Sequence, residues 1–381
     1  MFSVMPHHVL IVGAGQSGLA AAYAALEQGL RPVLLEASDR AAGSWPRYYD
    51  SLTLFSPARY SALPGLPFDG DPERYPHRDE VVAYLTRYAA VLAERGAELR
   101  TGARVLSVRR GPDEKGFLVR LTDGQELTAP ALIAASGSFD RPHRPALPGL
   151  DAFTGPVLHA ADYRSPASLP GEHVIVVGAG NSAVQIAHEL AAERRVTLVS
   201  RAPIRFVEQR PLGRDLHFWF RVTGFDRLPL ARADAPPAAP VLDDGRYRRA
   251  LREGHYTRRP MFARLDGDQA VWPDGVSERV DAVLLATGYR PNLPYLADLG
   301  ALTADGHPRQ RRGLSLTHPG LGALTADGHP RQRRGLSLTH PGLGYLGLEW
   351  QRTPSSNTLR GVGADARRVV TALARHLRAR A

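Results

Sequence analysis

Two glycine clusters carry the first recognisable chemistry in this sequence. Gly13, Gly15 and Gly18 follow the apolar run Val9 to Val12 in HHVLIVGAGQSGLAAAYAALEQGL. Gly178, Gly180 and Ala183 repeat the same frame in EHVIVVGAGNSAVQIAHEL. In such a frame the first glycine makes a tight turn and the second lets backbone approach a pyrophosphate, while the third position lets helix pack on strand. The free N–H groups and positive dipole end of the helix then face the phosphates. Glu36 ends the next apolar run, PVLLE, where a carboxylate can accept from both hydroxyls of a ribose. At the same spacing from Gly178 stand Ser200 and Arg201 instead. A carboxylate there would repel a 2′-phosphate, whereas a guanidinium and a hydroxyl bind one. The first site therefore predicts FAD and the second NADPH. Asn181 and Ser182 open the second helix and join the NADPH set.

Each frame needs a strand before it, a helix after it and a second strand to present the ribose-reading residue. That pattern predicts an α/β fold with two Rossmann-like dinucleotide-binding domains. Two further stretches, ALIAASGSFDRP (131–142) and AVLLATGYRPNLP (282–294), are each an apolar strand, a small-residue turn and an X-Pro stop. They look like the paired turns at which two-domain flavoproteins cross between domains, and Thr287 and Gly288 in the second become cofactor candidates. The expected organisation is an FAD domain over 1–165, an NADPH domain over 166–290 inserted into it, and a returning FAD segment over 291–381.

With those frames in place, the chain resembles the flavin-containing monooxygenases, class B flavoprotein monooxygenases of bacterial type, over essentially its whole length. FTGPVLHAADYR matches the signature F-x-G-x-x-x-H-x-x-x-Y through Phe153, Gly155, His159 and Tyr163. Baeyer–Villiger enzymes carry a similar motif with tryptophan in place of this tyrosine. Gly43 and Trp45 in AAGSW, the segment from Tyr49 to Phe68 and YPHRDEVVAYLTRYA also match, as does GLEWQRTPSSNTLRGVGADARRVV, whose final helix is led by Gly361 and Gly363. The resemblance implies an NADPH- and O₂-dependent enzyme that oxygenates a soft nucleophile, such as a sulfide or amine, through a C4a-peroxyflavin. The alternatives are an NADPH oxidase releasing hydrogen peroxide, Baeyer–Villiger oxygenation of ketones, and a non-catalytic nucleotide-binding protein. The sequence departs from the family at Phe55, where relatives carry an asparagine before Ser56 and Pro57. A phenyl ring donates no amide hydrogen bond to the flavin edge, so Ser56 or Asn181 becomes the candidate substitute donor.

Composition excludes several classes. The chain has 381 residues and no cysteine, so a thiol nucleophile, a CxxC redox pair and a Cys-ligated metal are impossible. A disulfide reductase of the same architecture would need such a dithiol. The net charge of +10 comes from scattered arginines, with Lys115 the single lysine, and forms no patch of the kind that nucleic acid requires. The fourteen histidines are dispersed, and no metal site is expected. No apolar run reaches the ~18 residues of a membrane span. The N-terminal residues show no signal segment, which makes the cytoplasm the expected location. The expected partners are a small-molecule substrate and O₂, with the homodimer an open alternative. Residues 213–264 mix Pro and Arg with aromatics. They read either as an insertion flanking the substrate entrance or as a surface excursion.

One feature lies outside all these motifs. GALTADGHPRQRRGLSLTHPGL runs from 300 to 321 and again, identically, from 322 to 343. Solenoid repeats need about three units and drift apart in sequence, so this pair reads as a tandem slip. One copy is expected to fill the FAD-domain position and the other to be surplus.

Overall fold

The computed structural model describes residues 9–112, 115–228, 240–299, 332–333, 336–337 and 340–379. The strand Val9–Val12 is buried at all four positions, as a strand covered on both faces of a parallel sheet must be. It pairs in parallel with Pro32–Leu35 on one side and Leu132–Ala134 on the other. Glu98–Arg100 and Leu343–Tyr345 extend the sheet outward, also in parallel. The alanine-rich helix Gln16–Glu27 buries Ala20, Ala21, Ala22 and Ala25 in one core together with Val362, Val369, Val370 and Leu373 of the last helix, Leu359–Arg378. Small side chains let those backbones come close. The opposite face is covered by the antiparallel strands Val105–Arg110, Phe117–Leu121 and Glu126–Ala129, which bring in Val108, Phe117, Val119 and Leu121.

A second sheet repeats the plan. Its parallel order is Thr257–Arg259, Arg195–Val199, His173–Val177, Ala282–Leu285 and Val157–His159. The helices Asn181–Leu190 and Arg246–Arg252 cover one face. The antiparallel strands Arg264–Asp266, Gln269–Val271 and Ser277–Arg279 cover the other, with Trp272 in the core. All five strands of this sheet fall between the residues that build the first one, so the second Rossmann-like domain is inserted into the first. Val157–His159 pairs into the second sheet, with Leu158 opposite Leu284, on the far side of the boundary expected at 165. The last helix begins at Leu359, capped by Thr358, rather than at the glycines thought to lead it. Gly361 lies inside it, and glycine is required there because a Cβ would come 2.0 Å from the Ser355 carbonyl oxygen. Among the described residues no helix is long and apolar enough to cross a membrane.

The described part of the duplicated segment belongs to its second copy. Gln332–Arg333 and Leu336–Ser337 form an antiparallel hairpin at the edge of the first sheet and lead into Leu343–Tyr345. Residues 300–321 lie outside the described residues. Because the copies are identical, excising either one yields the same shorter chain with the same residues upstream of that strand. The shortened protein is expected to keep one FAD per chain, read from the flavin absorbance of the purified protein. A flavin-free product would show that both copies are used.

Candidate functional site

A cleft of ≈ 470 Å³ opens where Val12, Leu35 and Ala135 end or follow three strands of the first sheet. Crevices outside the carboxyl ends of parallel strands are where such folds bind ligands. Gly13, Gly15, Glu36, Gly43, Trp45, Phe55 and Ser56 all line it. Gly18 stands behind them, because a Cβ there would lie 1.8 Å from the Gly13 carbonyl oxygen. Gly43, at φ +55°, lies against Gly15, where a Cβ would come 2.8 Å from the Gly15 Cα. Two glycine backbones in contact thus form the floor over which a pyrophosphate could pass. The Glu36 carboxylate is only 6% exposed and is already oriented. Its Oε2 accepts from the Ala14 N–H at 2.7 Å, and its Oε1 accepts from the Ser38 N–H at 2.9 Å and the Ser38 hydroxyl at 2.8 Å. A carboxylate has about four lone-pair sites, so acceptor capacity remains for a ribose.

The cleft also contains residues that no motif announced. Gln16 accepts from the Trp45 indole N–H at 2.6 Å and donates to the Asn357 carbonyl at 2.9 Å. Tyr48 stands 5.3 Å from Trp45 and 4.3 Å from Phe139, whose ring stacks on Tyr289 at 4.9 Å. This aromatic run leads from the first nucleotide frame to the second crossing turn. Arg47, ion-paired with Asp140, lies over Phe139. Asn357 and Arg360 enter from the start of the last helix. A cluster of Ser and Thr ahead of a helical pattern was the available signal, and it pointed only to a cap.

The expected substitute donors are engaged elsewhere. Ser61 lies 3.0 and 2.9 Å from the carbonyls of Ser56 and Pro57, so its one proton goes there. Its oxygen, 2.8 Å from Ser56 Oγ, then accepts the Ser56 proton. Asn181 accepts from the Leu242 N–H at 3.2 Å and donates toward the Pro240 carbonyl, outside the cleft lining. Phe55 is held from behind. Gln209 donates to its carbonyl at 3.1 Å, and the His217 ring lies parallel to it at 6.2 Å. Asp215, 5% exposed, organises this support. It accepts from Tyr75 Oη at 2.6 Å, Gln209 Nε2 at 2.6 Å, and His217 N and Nδ1 at 2.8 and 2.7 Å. Burial alone would raise its pKa, but the donors from His217, Tyr75 and Gln209 outweigh burial and hold it below the ordinary carboxylate value. The helix Leu216–Thr223 from the hard-to-read region 213–264 therefore packs beside the cleft.

The second frame builds the other candidate nucleotide site. The segment after Gly178 turns against the Ala286 carbonyl as Gly13 turns against Ala135, so the two crossing turns back the two frames alike. Those turns also bind each other: the His143 N–H donates to the Gly288 carbonyl at 2.8 Å, Thr287 Oγ1 donates to the His143 carbonyl, and the Asn292 N–H donates to the Gly137 carbonyl at 2.8 Å. Ser182 lies in the first turn of the helix that Gly180 caps. Ser200 is buried and donates to the Ala202 carbonyl at 2.8 Å while accepting from Arg258 Nε at 3.2 Å. Its proton is therefore committed, and Arg201, exposed beside it, is the group left facing solvent. Burial first, then the charges of Arg290 and Arg201, lower the pKa of His143. His159 of the signature motif is fully buried and meets Tyr289 edge-on at 5.2 Å. Its Nδ1 accepts from the Ala161 N–H at 3.0 Å, and desolvation lowers its pKa, so it sits as a neutral wedge between the domains. Tyr163 is buried and bonds Glu189 at 2.9 Å. Among the described residues no His, Asp or Glu cluster could hold a metal ion.

The chain matches the pyridine nucleotide-disulphide oxidoreductase family over residues 10–217. It is 31% identical over 326 residues to the rice (Oryza sativa subsp. japonica) indole-3-pyruvate monooxygenase YUCCA1, covering 77% of this chain and 79% of that one. It is 29% identical to an uncharacterised CzcO-like oxidoreductase of Geobacillus kaustophilus over 97% of this chain and 98% of the relative. The solved flavin-containing monooxygenase of Stenotrophomonas maltophilia superposes with a TM-score of 0.79 at 29% identity, covering 96% of this chain and 97% of that one. The glycine-floored cleft, the buried Glu36 carboxylate and the second frame fit FAD and NADPH, and the similarities run through all of them. The chain belongs to the pyridine nucleotide-disulphide oxidoreductase family, among its flavin-containing monooxygenases, and is an FAD- and NADPH-dependent oxidoreductase.

Proposed function

We propose that the protein uses NADPH and O₂ to oxygenate a soft nucleophile, a sulfide or an amine. One oxygen atom goes to the substrate, and the other leaves as water with the hydride of NADPH and a proton. The observation that carries this reading is a flavin cleft walled by Tyr48, Leu54, Phe55 and Phe139 in a chain without cysteine. With no dithiol beside the cleft, electrons cannot pass to a disulfide, and O₂ is the acceptor that needs no protein ligand. Bound FAD and NADPH supply hydride transfer and O₂ activation, which amino acids do not provide. The Gly15–Gly43 floor and Glu36 would hold FAD, while Gly178, Gly180, Ser182, Arg201, Thr287 and Gly288 would receive NADPH. The aromatic wall excludes water from the reacting edge. His159 and Ser200 position these elements rather than touching ligand.

A second reading, a peroxide-releasing NADPH oxidase, is favoured by Phe55. Phe55 is 38% exposed on the cleft, the Ser56 proton goes to Ser61, and Asn181 lies outside the cleft lining, so neither replaces a missing amide donor there. The test is to follow NADPH consumption, O₂ uptake, peroxide and sulfoxide with methyl phenyl sulfide. The panel also includes an amine, cyclohexanone and indole-3-pyruvate, the compound named in the rice relative. Sulfoxide or N-oxide matching O₂ uptake is the expected result. Peroxide equal to O₂ with no oxygenated product would establish the second reading, and NADPH oxidation without O₂ uptake would sink both.

A further inference from the structure

Beside the flavin cleft lies a second pocket of ≈ 290 Å³. Tyr60 and Phe220 give it aromatic walls, and four arginines, Arg59, Arg221, Arg352 and Arg360, face one carboxylate, Asp226. Three of these cations have protein partners: Arg59 with Glu73 at 2.8 Å, Arg352 with the buried Asp365 at 2.5 Å, and Arg360 with Asp226 at 3.1 Å. Arg221 is exposed and takes part in no ion pair among the described residues.

Arg360 is the residue shared by the two cavities. Its side chain is only 13% exposed and lies over the Phe220 ring at 5.5 Å. Asp226 meets one edge of the guanidinium, while Nε and Nη1 are buried with no acceptor among the described residues. Burial lowers its pKa against the opposing charges of Asp226 and Asp215. A buried guanidinium with unmet donors is costly, and an incoming anion supplies the missing acceptor. The planar fork suits a carboxylate in particular. Aromatic walls beside that fork suit a ring or branched apolar body.

We propose that this pocket binds the carboxylate end of an aromatic or apolar acid through Arg360 and Arg221, directing the rest of the molecule past Arg360 into the flavin cleft. The substrate class is then an anionic sulfide or amine rather than a neutral one. This inference rests on the oxygenation reading for the reacting atom but not for the binding. The test titrates the FAD-loaded protein calorimetrically with (phenylthio)acetate and with its methyl ester, and measures sulfoxide from each separately. The acid is expected to bind roughly 10- to 100-fold more tightly, the scale of a charge-assisted hydrogen-bonded pair. Arg360→Gln and Arg221→Ala should each reduce that preference. Arg221 lies outside the flavin cleft lining, so its variant keeps the test intact if Arg360→Gln loses flavin. Equal affinity for acid and ester, or a preference unchanged in both variants, overturns the proposal. Tight acid binding without sulfoxide from either compound supports the pocket and overturns oxygenation instead.

Discussion

Valine at Gly180 is expected to leave the protein folded and fully loaded with FAD but at least ~100-fold weaker for NADPH, a loss of about 2.7 kcal/mol. The backbone there is extended, at φ −90° and ψ −176°, a conformation that valine adopts readily. Among the described residues, a Cβ at that position meets no atom within 4 Å. With no described residue in the way, a larger side chain there obstructs a ligand approaching the helix N-terminus. The corresponding glycine of the first frame behaves differently, because Gly15 already has Gly43 Cα 3.4 Å from its Cβ direction. Gly18→Val would drive a side chain into the Gly13 carbonyl and is expected to unseat the helix, with flavin and stability lost together. Flavin content, thermal melting and rapid-mixing flavin reduction by NADPH separate the variants. Unchanged NADPH turnover in Gly180→Val would remove the second frame from the nicotinamide site.

Arg201→Glu is expected to lower kcat/KM for NADPH by roughly 10²- to 10³-fold while changing NADH turnover little. The figure joins the loss of one charge-assisted hydrogen bond, about 1.5–3 kcal/mol, to repulsion between a new carboxylate and a 2′-phosphate. Arg201 is exposed and has no carboxylate partner among the described residues, so its removal leaves no charge stranded in the fold. Ser200 cannot compensate, since its proton goes to the Ala202 carbonyl. Arg290 shares the electrostatic neighbourhood of His143 with Arg201 and makes a natural second variant. An unchanged NADPH-to-NADH ratio in Arg201→Glu would place the 2′-phosphate elsewhere.

The sequence by itself determined the two strand–turn–helix units, the inserted second domain and the pair of crossing turns. The reason is local: a glycine frame, a buried apolar strand and a helix start are neighbours along the chain, so composition and spacing read out their geometry. The absence of cysteine was equally decisive, because it removes dithiol chemistry whatever the fold. What only the tertiary structure decided is which polar groups remain free. Ser56 and Asn181 read as donors in the sequence, yet Ser61 and the Pro240–Leu242 backbone engage them. Tyr75 and Asp215 stand 140 positions apart and still meet at 2.6 Å to brace Phe55. The arginine-lined pocket likewise gathers residues 59, 221, 352 and 360, which no periodicity links. The strand that follows the second copy was legible as an apolar run, but its place beside Leu132–Ala134 in the first sheet came only from the tertiary pairing of Leu343–Tyr345. Hydrogen-bond satisfaction, burial and strand pairing depend on partners brought in from distant parts of the chain, and a linear pattern does not contain them.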